Sequence, residues 1–239
     1  MIWDRLRGLT PARIALGRSG EGGLPTAEWL RFAAAHAQAR DAVHTPLDVE
    51  VLTRELSAAG WPAPLVVRSR AAGRAEYLRR PDLGRRLDPA CTLPAGEADL
   101  ALVLADGLSP AAVQAHAVAL VQALRAALPS LTLTPPVIAT QARVALGDEI
   151  GEQLGARLVL VLIGERPGLS SPDSLGAYLT WAPRPGRGDA ERNCVSNIRP
   201  AGLSAEDAAR RLAWLVEQSL RRRLSGVALK DDSASALLP

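Results

Sequence analysis

Two loops that follow apolar runs carry the side chains best suited to bind a ligand. Residues 105–109 (ADGLS) follow the apolar run 100–104, and residues 164–174 follow the run 158–163. Ligands of open parallel sheets bind beyond the carboxyl ends of the strands, where such loops meet. The second loop contains Glu165 and is rich in Gly, Ser and Pro, so it could offer backbone N–H groups and hydroxyls to a ligand. Both loops are also compatible with plain surface connections.

The common nucleotide-binding and metal-binding motifs are absent from the sequence. Neither loop contains Gly-Lys-Ser/Thr, which excludes a P-loop, and no Gly-x-Gly-x-x-Gly pattern opens a helix. His36, His44 and His116 could do acid–base work, but none has a partner nearby in the sequence. We therefore expect them to be core or half-buried residues. The three His and two Cys also lack the spacing of a zinc site.

An Arg-rich segment and a cysteine are the remaining candidates. The charged segment 70–86 predicts exposed loop and helical turns. Within it, residues 77–86 could bind an anionic ligand or an acidic protein surface, or could form a solvated turn. Cys194 has no His nearby in the sequence that would lower its pKa, so we do not expect a nucleophile. Because Val195 and Ile198 flank it, we expect Cys194 to be a small buried residue.

The composition is that of a globular protein, since 48% of the 239 residues are hydrophobic and 22% are charged. Aromatic residues make up only 3% and the net charge is +3, which argues against a nucleic-acid partner. The longest apolar run, 158–163, is far shorter than the roughly 18 residues of a membrane span. Residues 1–7 lack signal-peptide features, so we expect a cytoplasmic protein with reduced Cys91 and Cys194.

The first part of the chain predicts an extended arm followed by two helices. Gly and Pro residues among charged residues indicate the arm in residues 1–25. A helix is predicted with Thr26 as its N-cap. Its inward face would carry Trp29, Leu30, Ala33 and Ala37. A second helix is predicted from Asp48 to Gly60, followed by a short strand within 64–68.

The second part of the chain alternates predicted strands with predicted helices. The strands are expected at 100–104, 137–140, 158–163, 177–181 and 193–198. The helices are expected after Ser109, at 148–154 and after Ser204. A βαβαβ order predicts a parallel sheet. We therefore expect an α/β fold, with a Rossmann-like parallel-sheet domain in residues 96–239 and a small, mainly helical domain in residues 1–95.

Six stretches of the sequence closely resemble the small subunit of ethanolamine ammonia-lyase. They are LTPARIALGRSG from Leu9, RFAAAHAQARDAVH from Arg31, YLRRPDLGRRL from Tyr77, RVALGDEIGE from Arg143, VLIGERPGLSSPDSLGAYLTW from Val161 and ERNCVSNIRP from Glu191. The resemblance runs from about Leu9 to Lys230, and the long stretch around Glu165 is highly specific.

The resemblance implies a subunit of an adenosylcobalamin-dependent lyase that converts ethanolamine to acetaldehyde and ammonia by radical chemistry. In that family the large subunit carries the substrate-binding barrel, and the small subunit helps to hold the cobalamin between them. The present sequence has no eight-fold β/α rhythm, so it is not itself the barrel. Activity is therefore expected only from a hetero-oligomer with the large subunit.

Three positions match cofactor contacts of this family: Val144, Glu165 and Cys194. Glu165 could accept hydrogen bonds from the amide side chains of the corrin or from the nucleotide loop. Val144 and Cys194 would give an apolar wall and close packing. The resemblance implies neither a catalytic residue nor a metal ligand in this chain. The Asp-x-His-x-x-Gly pattern, by which some cobalamin proteins supply a His to cobalt, is absent, so the cofactor is expected to keep its own base.

Two other functions remain open at this point. The main alternative is a non-catalytic α/β protein that binds or senses a nucleotide-like small molecule through the Glu165 loop. An RNA-binding protein is disfavoured, because a net charge of +3 gives little counterion release.

Some family members carry an N-terminal extension linked to packaging into a bacterial microcompartment. Here the family-like sequence begins at Leu9, so we expect the bacterial cytoplasm and doubt microcompartment residence.

Overall fold

The computed structural model describes residues 5, 6, 8, 9 and 24–233, and between residues 24 and 233 the chain forms six α-helices and six strands. The helices are α1 (Thr26–His44), α2 (Val49–Ala58), α3 (Arg74–Arg79), α4 (Pro110–Ala127), α5 (Leu146–Gln153) and α6 (Ala205–Arg222). The strands are β1 (Leu65–Arg68), β2 (Ala98–Ala105), β3 (Val137–Thr140), β4 (Ala156–Gly164), β5 (Leu175–Trp181) and β6 (Arg192–Ile198). The expected α/β class is confirmed.

A single six-stranded sheet organises the fold, with the strand order β1-β3-β2-β4-β5-β6. The four strands β1, β3, β2 and β4 pair in parallel, as the βαβαβ order predicts. β5 pairs antiparallel with β4, and β6 antiparallel with β5, so the expectation of a parallel sheet is wrong for these two strands. Residues 165–174 and 182–191 connect them without an α-helix, whereas a parallel connection needs a crossover of roughly a dozen residues or more.

Apolar side chains on both faces of the sheet form the core. Leu102 and Leu104 of β2 belong to the cluster covered by α2, α4 and α6. Val103 and Ala105 of the same strand belong to the cluster on the opposite face, which α5 covers. Because β2 and β4 are buried on both faces, they occur in the sequence as nearly continuous apolar runs.

Three helices begin where the sequence predicts. The side chains of Asp48, Ser109 and Ser204 accept hydrogen bonds from backbone N–H groups in the first turns of α2, α4 and α6. Each bond satisfies a donor that has no partner within its helix. Gly60 follows α2 with a φ of 74°, a conformation that glycine adopts without strain. These predicted helix boundaries are confirmed.

Helix α1 differs from its prediction in two respects. Thr26 is its first residue and not its N-cap, because Pro25 occupies the cap position. Trp29 and Leu30, expected to face inward, are 55% and 61% exposed. The buried residues of the helix are Ala35 and Ala42. Alanine recurs all around α1, so its apolar residues do not define one inward face and the predicted face is wrong.

The predicted domain organisation is not resolved by these elements. β1 precedes residue 95 and pairs in parallel with β3 of the main sheet. The division at residue 95, the separate helical domain of residues 1–95 and the Rossmann-like arrangement of residues 96–239 stay predictions. The extended arm expected in residues 1–25 lies mostly outside the described residues. No helix within the described ranges is long and apolar enough to span a membrane.

A buried ion pair ties α5 to the antiparallel part of the sheet. Asp148 of α5 accepts two hydrogen bonds of 2.7 Å from the guanidinium of Arg192, the first residue of β6. Both side chains are 2% exposed. Arg192 also donates to the hydroxyl of Thr180 and to the carbonyl oxygen of Arg187. A buried charge pair with this many hydrogen bonds holds α5 against β5 and β6.

We expect Asp148→Leu and Arg192→Met each to lower the free energy of unfolding by about 3–5 kcal/mol, because each leaves one buried charge without its partner. The double variant should lose less than the sum of the two single losses. Urea unfolding followed by circular dichroism measures all three. As a control, Arg210→Met breaks an exposed ion pair with Asp207 and should cost less than about 1 kcal/mol. Additive losses at Asp148 and Arg192 would contradict the coupling.

Candidate functional site

A cleft of about 390 Å³ lies at the carboxyl ends of β2, β3 and β4. The residues that follow these strands line it: Gly107 and Leu108 after β2, Arg143 and Val144 after β3, and Glu165 and Arg166 after β4. Tyr77 of α3 and Tyr178 of β5 complete its walls. The structure therefore brings two of the three predicted site residues, Val144 and Glu165, into one cleft.

The topology of the sheet places the cleft at this edge. After β2 the chain enters α4 on one face of the sheet, and after β3 it enters α5 on the opposite face. Connections that leave neighbouring strands in opposite directions open a crevice at the carboxyl ends. The sequence-based expectation of a ligand site over the ends of the strands agrees with this geometry.

Direct backbone contact at two glycines brings the ends of β2 and β4 together beneath the cleft. The N–H of Leu108 donates to the carbonyl oxygen of Gly164 at 2.9 Å. Gly107 has a φ of 57°, and a Cβ at this position would collide with the same carbonyl oxygen. A Cβ on Gly164 would in turn collide with the carbonyl oxygen of Ser109. Only glycine permits this approach at positions 107 and 164.

The carboxylate of Asp106 joins the ends of β2 and β3. It accepts hydrogen bonds from the backbone N–H groups of Gln141 at 2.8 Å and Ala142 at 2.9 Å. Nη1 of Arg74 lies 3.4 Å from the same carboxylate. Burial raises the pKa of Asp106, while these hydrogen bonds and Arg74 act in the opposite direction. Asp106, in a loop singled out as ligand-binding, is thus engaged with the protein itself.

Tyr77 forms the wall between two guanidinium groups. Its ring is fully buried, and its hydroxyl donates to the carbonyl oxygen of Ala142 at 2.9 Å. The guanidinium carbons of Arg74 and Arg143 lie 4.9 and 4.5 Å from the ring centre, within the range of cation–π contacts. The expectation that segment 70–86 is exposed is therefore wrong at Tyr77, because the aromatic ring packs against the loop after β3.

Glu165 is held at the start of the loop between β4 and β5. The hydroxyl of Ser174 donates to its carboxylate, and the backbone N–H of Asn197 lies 3.4 Å from the same Oε2 atom. Gly176 lies against the side chain, since a Cβ there would approach Oε1 to 2.7 Å. Glu165 is half-buried and lines the cleft, so its carboxylate is oriented before any ligand arrives.

Cys194 lies beside the cleft and is exposed, which corrects the expectation of a buried residue. On β6 the core-facing positions belong to Val195 and Ile198. Cys194 is the register partner of Tyr178 in the pairing of β5 with β6. Desolvation raises the pKa of the Cys194 thiol, and the charge of Glu165 acts in the same direction. The thiol is therefore neutral near pH 7 and unsuited to nucleophilic attack.

The histidines lie away from the cleft. His116 is half-buried, as expected, and its Nε2 lies 3.2 Å from Oδ2 of Asp173. His36 and His44 are exposed on α1, so the expectation of a core or half-buried position is wrong for them. Within the part of the chain that the structure describes, no cluster of three or more His, Cys, Asp or Glu could hold a metal ion.

The cleft is built for binding by hydrogen bonds, apolar contact and charge. Sequence reasoning missed Arg143 and Tyr178, which line it, and included Tyr77 only as the first residue of the Arg-rich segment 77–86. Arg143 directly precedes Val144 in a stretch already singled out, so that adjacency was an available signal. No local pattern places Tyr77 beside the loop after β3, because its contact with Ala142 joins residues 65 positions apart.

Comparison with known proteins gives a consistent family. The model of the family "Ethanolamine ammonia-lyase light chain (EutC)" matches residues 1–230. The ethanolamine ammonia-lyase small subunit of Rhodopseudomonas palustris (strain BisA53) is 60% identical over 235 residues, covering 95% of this chain and 89% of the relative. The protein of the same name from Bradyrhizobium diazoefficiens is 58% identical over 237 residues, covering 96% and 90%. The one from Azotobacter vinelandii is 54% identical over 246 aligned positions, covering 99% and 90%.

We expect iodoacetamide to alkylate Cys194 slowly near pH 7 and faster as the pH rises, because desolvation raises the thiol pKa. Glu165→Gln removes a negative charge that also raises this pKa, so its alkylation profile should shift to lower pH. Mass spectrometry of the alkylated peptide across a pH series measures the shift. Glu55→Gln, on the remote helix α2, serves as the control. An identical profile in wild type and Glu165→Gln would contradict the electrostatic coupling.

Proposed function

The chain belongs to the ethanolamine ammonia-lyase small-subunit family, and from this premise we propose that it binds adenosylcobalamin together with the large subunit. The complex would convert ethanolamine to acetaldehyde and ammonia. The observation that carries the proposal is the cleft at the carboxyl ends of β2, β3 and β4, which Val144 and Glu165 line. Family membership favours this function over the nucleotide-like binding protein considered from the sequence.

The residues of the cleft fit one side of a corrinoid. Glu165 supplies an oriented carboxylate, Val144 and Ile163 supply apolar surface, and Arg143 has a buried Nε atom without a hydrogen-bond partner. A cleft of about 390 Å³ suits a small ligand, and a corrin ring with its nucleotide is larger than that. This chain would therefore cover one side of the cofactor, and the large subunit would cover the other.

The side chains would bind and orient the cofactor. When bound, adenosylcobalamin supplies a carbon radical by homolysis of its cobalt–carbon bond. Glu165 would accept hydrogen bonds from the amide side chains of the corrin, because a carboxylate is an acceptor only. Val144 would pack against the apolar edge of the ring. Cys194, with its neutral thiol next to Tyr178, would add close packing and no ligand to cobalt.

The substrate chemistry is proposed to take place in the large subunit. None of the residues that line the cleft is a Ser, Cys or His, so the lining holds no Ser–His or Cys–His pair. The described residues form a mixed six-stranded sheet, which is a different architecture from a β/α barrel. We place the complex in the bacterial cytoplasm, as expected from the sequence.

Ammonia release from ethanolamine should require both subunits. We expect the purified chain with added adenosylcobalamin to release none, because its cleft leaves one side of the cofactor in water. The complex co-expressed with the large subunit should release ammonia at a rate that a coupled enzymatic assay can follow. Turnover by the chain alone would overturn the proposed division of work.

Glu165→Ala should weaken adenosylcobalamin binding to the complex by roughly 5- to 150-fold, since loss of a hydrogen bond to a buried group costs about 1–3 kcal/mol. Titration followed by visible absorption measures the dissociation constant. Ser174→Ala is the matched control, because it removes the hydroxyl that donates to Glu165 and keeps the carboxylate. Ser174→Ala should weaken cofactor binding less than Glu165→Ala does. Unchanged affinity with abolished turnover in Glu165→Ala would indicate a catalytic role instead.

A further inference from the structure

The guanidinium of Arg143 has no acceptor among the described residues. Its Nε atom is buried and has no hydrogen-bond partner. None of the ion pairs within the described ranges includes this side chain. A half-buried cation without a partner is costly, because its lost hydration is not replaced. The missing acceptor is therefore expected from a bound group.

The position of Arg143 is fixed before any ligand binds. Its backbone N–H donates to the carbonyl oxygen of Gly84 at 2.8 Å, and its guanidinium lies on the ring of Tyr77. Tyr77 is itself anchored through its hydroxyl to Ala142, the residue before Arg143. A guanidinium held in this way loses little conformational entropy when it binds an anion.

The neighbouring charges are already engaged. Arg74, on the same aromatic ring, has the carboxylate of Asp106 at 3.4 Å. The carboxylate of Glu165 accepts from the hydroxyl of Ser174. Arg143 is thus the half-buried cation of the cleft that still lacks a counter-charge within the described residues, whereas Arg166 is exposed.

We propose that Arg143 binds the phosphodiester of the cofactor's nucleotide loop. This inference rests on the proposed function, which brings adenosylcobalamin to the cleft. The corrin periphery carries uncharged amides, and the phosphodiester is the anionic group of the molecule. Guanidinium groups bind phosphate oxygens through paired N–H donors. Glu165 would then meet amide N–H groups, and Arg143 would meet the phosphate.

The test compares three corrinoids that differ at the nucleotide loop. The complex with the large subunit is titrated with adenosylcobalamin, adenosylcobinamide phosphate and adenosylcobinamide, and visible absorption reports equilibrium binding without turnover. Arg143→Gln should weaken binding of the two phosphate-containing ligands roughly 10- to 100-fold and leave adenosylcobinamide within about twofold. Arg143→Lys keeps the charge without the planar fork, so its loss should be intermediate and equally selective. It also provides the test if Arg143→Gln does not assemble.

Arg157→Gln is the matched control for the loss of a stacked guanidinium. Arg157 lies 5.8 Å from the ring of Trp181 and pairs with Asp99 near the opposite end of β4. Arg157→Gln should leave the affinities of the complex for all three corrinoids unchanged. Equal weakening of all three ligands by Arg143→Gln, or weakening of none, would overturn the phosphate assignment. If the wild-type complex binds none of them, the proposed function itself fails.

Discussion

The carboxylate of Asp106 is the group on which the geometry of the cleft depends. Asp106 directly follows β2. Its carboxylate accepts hydrogen bonds from the first two backbone N–H groups after β3 and forms an ion pair with Arg74. Arg74 extends the connection, because its Nε donates to the carbonyl oxygen of Val43 in α1. One buried acidic group therefore positions two strand ends, the Arg74–Tyr77 wall and the first helix. Its several donors offset the cost of removing a carboxylate from water.

The parts of the fold that sequence analysis predicted are those encoded by neighbouring residues. β3 was predicted at its observed bounds, and α4 begins after its predicted cap Ser109, because apolar runs and capping residues act locally. The orientation of β5 and β6 was missed, since strand direction depends on the connection and not on the strand. The face of α1 was missed because its alanines give no periodic signal. The exposure of Cys194 was also missed. Side chains alternate along β6, so Val195 faces the core and the neighbouring Cys194 faces the other side.

The residues of the candidate site also divide into those that the sequence indicated and those that only tertiary packing brings into place. The family resemblance assigned Val144 and Glu165 as cofactor contacts, and Glu165 also lies in a loop expected at the carboxyl end of a strand. The structure places both residues in one cleft. Tyr77 and Arg143 are joined by packing between a helix and a strand-end loop, which no local pattern encodes. What the cleft offers is a one-sided surface with an oriented carboxylate, an apolar wall and a cation. Such a surface gains selectivity from pairing each polar group with a complementary one on the ligand.

The pair of Asp148 and Arg192 has a consequence for motion. Asp148 lies on α5, four residues after Val144, and Arg192 lies on β6, two residues before Cys194. Detaching β6 from the sheet would carry Arg192 away and leave the buried carboxylate of Asp148 without its partner, so opening of β6 alone is unfavourable. We therefore expect α5 and β6 to open as one cooperative unit, with similar protection of their slowest amides from hydrogen exchange. Val144 and Cys194, on two sides of the proposed ligand surface, would then move together when these elements open.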